Sequence, residues 1–253
     1  MPLDPLILLV ASLTLFVGAM AKGALGFGLP MIAIPALTAV GSLPLALSIM
    51  VPPVVATNLW QIWKFWDHRH VPFMPKFMLF GVIGLVCGTL ALRGIENAYL
   101  EVLLGCLVLY YLYSIRRKDS YNLSNDRLNT LTPPVGGIAG AVHGMMGLSG
   151  LVGTPFFHAA GLARPEFIFS TSVMFIVFST LHMPTLAAVG LYQLEGMFIG
   201  LLAVIPAFLG LWLGGLAGDR LKATTFPILV QIMLAIAAIL PIWNGLSNLL
   251  FTP

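Results

Sequence analysis

The sequence predicts an all-α integral membrane protein built of two homologous, inverted repeats. Composition is the first observation, because 59% of the residues are apolar and only 8% are charged, against roughly 25% charged in soluble proteins. The second is that apolar runs of about 18 residues or more recur along the chain, the length that a helix needs to cross a bilayer. The third is a duplicated pattern of glycines. A chain this apolar has the lipid bilayer as its first predicted partner.

The first apolar run is predicted to be a retained span. It follows Asp4 without a basic segment before it, and further spans come after it, unlike a cleaved signal peptide. Cys87 and Cys106 both fall in apolar runs, which predicts small core residues and neither a disulfide nor a metal site. The net charge of +3 comes from basic residues at the ends of apolar runs, where topology explains them. Nucleic acid is therefore excluded as a partner, and no cofactor is expected.

A break interrupts that first apolar segment. Lys22 and Gly23 lie within it, and Gly26 and Gly28 follow before Pro30. Glycines permit tight reversals and close backbone approach. Proline is tolerated in the first turn of a helix, so Pro30 predicts the start of a second half-helix. The segment is predicted to be a broken helix or a re-entrant hairpin.

The same pattern recurs half a chain later. At an offset of 121 residues, Lys22 pairs with His143, Gly23 with Gly144, and Gly26 with Gly147. At offsets of 124 and 126, Asn58 pairs with His182, Gly84 with Gly210, and Gly88 with Gly214. Small loop insertions produce such a slow change of offset, so a duplication is predicted. Pro155 is expected to begin the second half-helix, and Gly84, Gly88, Gly210 and Gly214 are expected to serve close helix packing.

A polar stretch separates the two copies. Residues 1–118 form the first predicted repeat, residues 119–132 a linker loop, and residues 133–253 the second repeat. Each repeat is predicted to hold one broken segment and three spanning helices.

The distribution of basic residues predicts that the copies have opposite orientations. If each broken segment is a hairpin, ten Lys and Arg side chains lie on one side of the membrane and Arg93 alone lies on the other. Four full crossings in each half would give a weaker division of seven against four. Cytoplasmic loops carry the excess of Lys and Arg. The repeats are therefore predicted to be inverted, with both termini outside.

The two breaks are predicted to meet near the midplane and to bind an anion there. The N–H groups and positive dipole end of a half-helix attract negative charge, and irregular backbone survives at this depth only in protein or beside a water-filled cavity. Lys22 and His143 would add charge or donors, although Lys22 snorkelling to an interface is an alternative. The predicted substrate-binding residues are Lys22, Gly23, Gly26, Gly28, Asn58, His143, Gly144, Gly147, Ser149, Gly150, Thr171, Ser172 and His182.

The glycine spacings at both breaks, with Pro35 and Pro155 after them and the run from Ser170 to Ser172, resemble the sulfite exporter TauE/SafE family. This family is also called the toluene sulfonate uptake permease family. The resemblance covers most of the chain. It implies a multi-pass carrier of the bacterial inner membrane whose substrates are small sulfur-containing or organic anions.

The resulting functional prediction is a secondary transporter, not an enzyme, that moves a small anion by alternating access. No carboxylate is expected inside a span, so coupling would need a histidine, Lys22 or the substrate itself. A soft-metal carrier is the first alternative, because thioether, thiolate and imidazole ligands occur at Met145, Met146, Met183, Cys87, Cys106 and His143. An intramembrane hydrolase using Ser149 is the second, but no acidic orienter accompanies its histidines. The sequence is compatible with a homo-oligomer and does not fix the number of subunits.

Overall fold

The computed structural model describes residues 4–116, 123–220 and 225–251, and helices dominate these ranges. The first five helices are α1 (Pro5–Leu25), α2 (Leu29–Val40), α3 (Leu43–Lys64), α4 (Met74–Gly94) and α5 (Asn97–Arg116). The other five are α6 (Asn125–Met146), α7 (Gly150–Ala159), α8 (Arg164–Ala188), α9 (Leu194–Arg220) and α10 (Thr225–Phe251). A 3-10 turn, Trp66–His68, precedes α4. The all-α prediction is confirmed for this part of the chain.

Five helices are long and apolar enough to cross a membrane. They are Pro5–Leu25, Leu43–Lys64, Met74–Gly94, Arg164–Ala188 and Leu194–Leu216. Two shorter apolar helices, Leu29–Val40 and Asn97–Tyr113, accompany them in the described ranges. The chain is thus a multi-pass membrane protein.

Local signals set several helix boundaries. The Asp4 side chain accepts a hydrogen bond from the Leu6 N–H at 2.8 Å and caps α1, satisfying one of the donors that a helix start leaves free. Pro5 fits the first turn of the same helix. At the start of α8, the Glu166 carboxylate accepts from the Ala163 N–H at 3.0 Å. Each boundary therefore follows from residues beside it in the sequence.

The helices group into two compact units that do not follow chain order. Unit 1 contains α1, α2, α3 as far as Pro53, α5, α9 and α10. Unit 2 contains the remainder of α3 from Val54, with α4, α6, α7 and α8. Both units take helices from both predicted repeats. The division into repeats around residues 119–132 is a division of the sequence and stays a prediction.

Glycines bring one pair of helices into close contact in each unit. In unit 1, Gly210 and Gly214 of α9 face the backbone of α1, at Phe16 and Met20. In unit 2, Gly84 and Gly88 of α4 face the backbone of α6, at Gly137 and Ala141. A Cβ atom at any of these four glycines would overlap a main-chain carbonyl oxygen. The predicted packing role of these glycines is confirmed.

The two contacts obey the sequence offsets. Phe16 and Met20 precede Gly137 and Ala141 by 121 residues, and Gly84 and Gly88 precede Gly210 and Gly214 by 126. Equivalent helices therefore pack through equivalent residues, as a duplication requires. Inversion of the repeats stays a prediction.

The expectation for the cysteines was wrong. Cys87 on α4 and Cys106 on α5 are both exposed, not core residues. A spanning helix presents apolar residues to lipid as well as to its neighbours, so an apolar run alone does not say which face is buried.

Candidate substrate-binding site

Both predicted helix breaks are present, and the glycine caps that end their first helices have the same geometry. Gly26 ends α1 with φ of 88°, and its N–H donates to the Lys22 carbonyl at 2.7 Å. Gly147 ends α6 with φ of 71°, and its N–H donates to the His143 carbonyl at 2.6 Å. Left-handed backbone costs a residue with a Cβ about 1–2 kcal/mol. Each glycine thus stops its helix one turn after the basic residue.

The half-helix after the first break begins as predicted, and the half-helix after the second break does not. Helix α2 begins directly after Gly28, whose φ is 124°, and Pro30 lies in its first turn as predicted. Helix α7 begins at Gly150, so Pro155 lies inside it and not at its start. The Gly153 N–H already donates to the Ser149 carbonyl at 2.8 Å, so the helix has begun before Pro155. Pro155 corresponds to Pro35, which also lies inside its half-helix.

A side-chain hydrogen bond spans the second break. His143 is in the last turn of α6, and Ser149 directly precedes α7. Their Nδ1 and Oγ atoms are 2.9 Å apart. Ser149 makes no capping hydrogen bond to α7, because its hydroxyl is directed to His143. The serine therefore joins the two half-helices and leaves the α7 N-terminus without its usual side-chain cap.

His182 of α8 reaches the same broken end. Its Nε2 lies 3.0 Å from the Gly144 carbonyl oxygen, one of the carbonyls that a helix C-terminus leaves without an intrahelical partner. The rings of His143 and His182 are 5.3 Å apart, inclined at 63°. His143 is 3% exposed and His182 is 2% exposed. Two histidines thus lie edge to face in the interior of unit 2.

Two aromatic rings contact His143 of this pair. The Phe178 ring lies 5.5 Å from the His143 ring, and the Phe175 ring lies 6.5 Å away. Both phenylalanines are at most 2% exposed. In such surroundings an unpaired polar atom costs more than it would at a surface. The pair His143 and His182, with Ser149 and Gly144, is named the histidine cluster below.

The predicted residues on α8 and α3 make hydrogen bonds of other kinds. Ser172 lies 3.0 Å from Gln61 through Oγ and Oε1, which links α8 to α3. Thr171 donates to carbonyls of its own helix. Asn58 donates through Nδ2 to Val54 at 2.7 Å, while its Oδ1 is buried without a hydrogen bond. The Asn58 atom left without a hydrogen bond is therefore an acceptor.

Two of the predicted binding glycines have a packing role. A Cβ on Gly23 would overlap the Leu211 carbonyl of α9, and a Cβ on Gly144 would overlap the Leu85 carbonyl of α4. These contacts sit at equivalent positions of the two units. They hold the broken helices against their partners and so position the breaks.

Lys22 lies in unit 1, in the last turn of α1, and its side chain is only 2% exposed. It is inside the protein and does not snorkel to the surface. The predicted residues Lys22, Gly23, Gly26 and Gly28 belong to unit 1, and the other nine belong to unit 2. The meeting of the two breaks stays a prediction.

One buried carboxylate was missed. Glu101 of α5 is 8% exposed, and its Oε2 has no hydrogen bond to any described residue. It lies one turn into an apolar helix, where sequence alone suggests a charged helix end. The sequence did contain a signal for this burial: Glu101 lies between apolar residues, one turn after the start of α5.

The two cysteines of the soft-metal alternative do not belong to one unit. Within the described residues, no group of three or more His, Cys, Asp and Glu side chains could hold a metal ion. Cys87 and Cys106 belong to different units and are exposed.

The family-model comparison with known proteins agrees with this architecture, and the comparisons with curated proteins and with solved structures found no match. The model of the sulfite exporter TauE/SafE family matches residues 10–240, which is most of the chain. Together with the apolar helices and the paired helix breaks, this match shows that the chain is a membrane transporter belonging to the TauE/SafE sulfite exporter family.

Proposed function

We propose that this protein moves a small anion, such as sulfite, a sulfonate or a related sulfur-containing or organic anion, across the bacterial inner membrane by alternating access. The observation that carries the proposal is the pair of matching breaks, each with a glycine cap one turn after a buried basic residue. Discontinuous helices of this kind form substrate sites in transporters.

The α7 N-terminus supplies the attraction for the anion. Its Ser149 side chain is turned to His143, so it does not occupy the helix start. The N–H groups there carry the positive end of the helix dipole. His143 adds a ring nitrogen at the opposite side of the same break. In the proposal, the α2 N-terminus and Lys22 of the first repeat attract the anion in the same way.

The proposed rocking motion requires inverted repeats with both termini outside. The ten-to-one division of basic residues supports that topology. The outward-open and inward-open states would then be related by exchange of the conformations of the two repeats. Inverted repeats produce alternating access in this way.

Anion flux into proteoliposomes tests the proposal. Sulfite, thiosulfate, methanesulfonate and acetate form the panel, and wild type is compared with Lys22→Ala and His143→Ala. Loss of flux in both variants, with normal flux in the exposed-site controls Lys76→Ala and His70→Ala, is the expected result. Undiminished flux in both Lys22→Ala and His143→Ala would remove the proposed site.

The contact between Ser149 and His143 also has the spacing of a nucleophile and its base. A nucleophilic dyad needs a third group that orients the base. The titratable neighbour of His143 is His182, whose ring brings no negative charge to that position. The contact therefore favours a ligand site over a hydrolase.

A further inference from the structure

The histidine cluster fixes the position of one proton. A carbonyl oxygen only accepts hydrogen bonds, so the 3.0 Å contact with Gly144 requires that His182 carries hydrogen on Nε2. In neutral imidazole the other nitrogen then has a lone pair and no hydrogen. The Nδ1 atom of neutral His182 is therefore an acceptor.

His143 is not restricted in the same way. Its partner is the Ser149 hydroxyl, which can donate or accept. When Ser149 donates to Nδ1, the neutral His143 ring has N–H at Nε2. His143 can thus donate to an anion without gaining a proton, whereas His182 can do so only after Nδ1 is protonated.

Resting on the proposed function, we propose that this site takes up one proton with each anion, and that the proton is held on Nδ1 of His182. The lone pair of Nδ1 accepts the proton, which comes from water or from the acidic form of the substrate. The resulting imidazolium keeps its Nε2–H bond to Gly144 and gains an N–H directed at the anion. Anion and proton then cross the membrane together.

The described neighbours of His182 do not supply a negative charge that would hold a proton on its ring before the anion binds. Among the described side chains, the titratable one whose ring contacts it is His143 of α6. The elements packed against α8 in unit 2 are α4, α6, α7, the 3-10 turn and, through the Gln61 contact, α3. Their other described titratable or charged side chains are all exposed: Lys64, Asp67, His68, Lys76, Cys87, Arg93, Asp126, Arg127 and His158. No described carboxylate contacts the ring to hold a proton there before the anion binds.

Two properties of the site support tight coupling. His182 is 2% exposed and stands beside the ring of His143, which in turn contacts two phenylalanine rings, so bulk water does not screen a charge placed on His182. A buried imidazolium without a counter-ion is costly. The anion is that counter-ion. Each charge therefore stabilises the other, and binding of either favours binding of both.

Calorimetric titration of purified protein measures the proton directly. Methanesulfonate and thiosulfate hold no proton of their own near neutral pH, and sulfite is the third ligand, corrected for its own ionisation. Titrations in buffers of different ionisation enthalpy give the protons taken up on binding. We expect uptake of about one proton per anion at pH 8 in wild type.

Two variants assign that proton. His182→Gln keeps an N–H donor near the Gly144 carbonyl and removes the basic nitrogen, so it should bind anion weakly with no proton uptake. His143→Gln should bind weakly with uptake preserved. His70→Gln, an exposed loop position, is the control that should match wild type in both quantities.

Failure of this inference is distinct from failure of the proposed function. Wild type that binds anion without proton uptake overturns the inference alone, as does uptake that persists in His182→Gln. Absence of binding by every anion overturns the proposed function and the inference with it.

A second measurement covers the case in which His182→Gln does not fold. Wild-type protein labelled with 15N histidine has five histidines to resolve. One of them should carry hydrogen on Nε2 alone before anion is added and on both nitrogens afterwards. Spectra that show no such change on anion binding overturn the inference.

Discussion

His182 donates through Nε2 to the carbonyl oxygen of Gly144, 38 residues earlier in the chain, at 3.0 Å. This hydrogen bond links α8 to the broken end of α6. The same bond satisfies a carbonyl that the break would otherwise leave buried without a hydrogen bond. It also places the His182 ring against His143. A helix end, its cap and a second titratable ring thus form one structure.

The glycine cap of α6 should be intolerant of alanine. Gly147 has φ of 71°, so Gly147→Ala is expected to destabilise the protein by about 1–2 kcal/mol, the cost of left-handed backbone for an L-residue. Gly26→Ala should lose a similar amount, because its φ is 88°. Thermal unfolding in detergent is the measurement. Gly137→Ala in the same α6 helix is the control, since its added Cβ meets only the Phe80 carbonyl at 3.9 Å; equal loss in the control would contradict the explanation.

Removing the Ser149 hydroxyl should destabilise unit 2. Ser149→Ala leaves the buried His143 ring without its 2.9 Å partner, and an unsatisfied buried polar group costs about 1–3 kcal/mol. Unfolding midpoints of Ser149→Ala, of His143→Leu and of the double variant measure the effect. The double variant should recover part of the loss, because no polar atom is then left unpaired. Simple addition of the two single effects would show that the hydrogen bond contributes nothing.

Equivalent glycines of the two helix pairs should respond alike. Gly84→Ala pushes a Cβ into the Gly137 carbonyl, and Gly210→Ala pushes one into the Phe16 carbonyl. Both are expected to cost about 1–3 kcal/mol, typical of overpacking. Gly215→Ala, whose Cβ meets nothing within 4 Å, should be neutral. The thermal midpoints of the three variants test this, and a large difference between Gly84→Ala and Gly210→Ala would argue against equivalent packing.

Accessibility labelling should establish the orientation of the repeats. In a background with Cys87→Ala and Cys106→Ala, single cysteines at Asp119 and Ala223 are treated with an impermeant reagent in intact cells and in inverted vesicles. Inverted repeats place both positions on the cytoplasmic side, as the basic residues near them indicate. Labelling from opposite sides would refute inversion and support parallel copies.

Several features follow from the sequence because their causes are local. The breaks at Gly26 and Gly147 depend on a residue that tolerates positive φ, and the glycine pairs on α4 and α9 depend on the absence of a side chain. The apolar runs that make spanning helices are equally visible in the composition. The resemblance to the TauE/SafE family rests on these same glycines, and the model of that family matches residues 10–240.

Only the tertiary structure decided which polar groups meet. Ser149 precedes a helix and was available to cap it, yet its hydroxyl turns to His143 because the break brings that ring within 2.9 Å. Glu101 and the two cysteines show the same point, since an apolar run does not say which helix face another helix covers. The sequence determined where the helices at the two breaks stop. The packing of α8 on α6 decided which nitrogen of His182 holds a proton. Hydrogen bonds between residues distant in the chain depend on how neighbouring helices are placed, and that placement is a property of the tertiary structure.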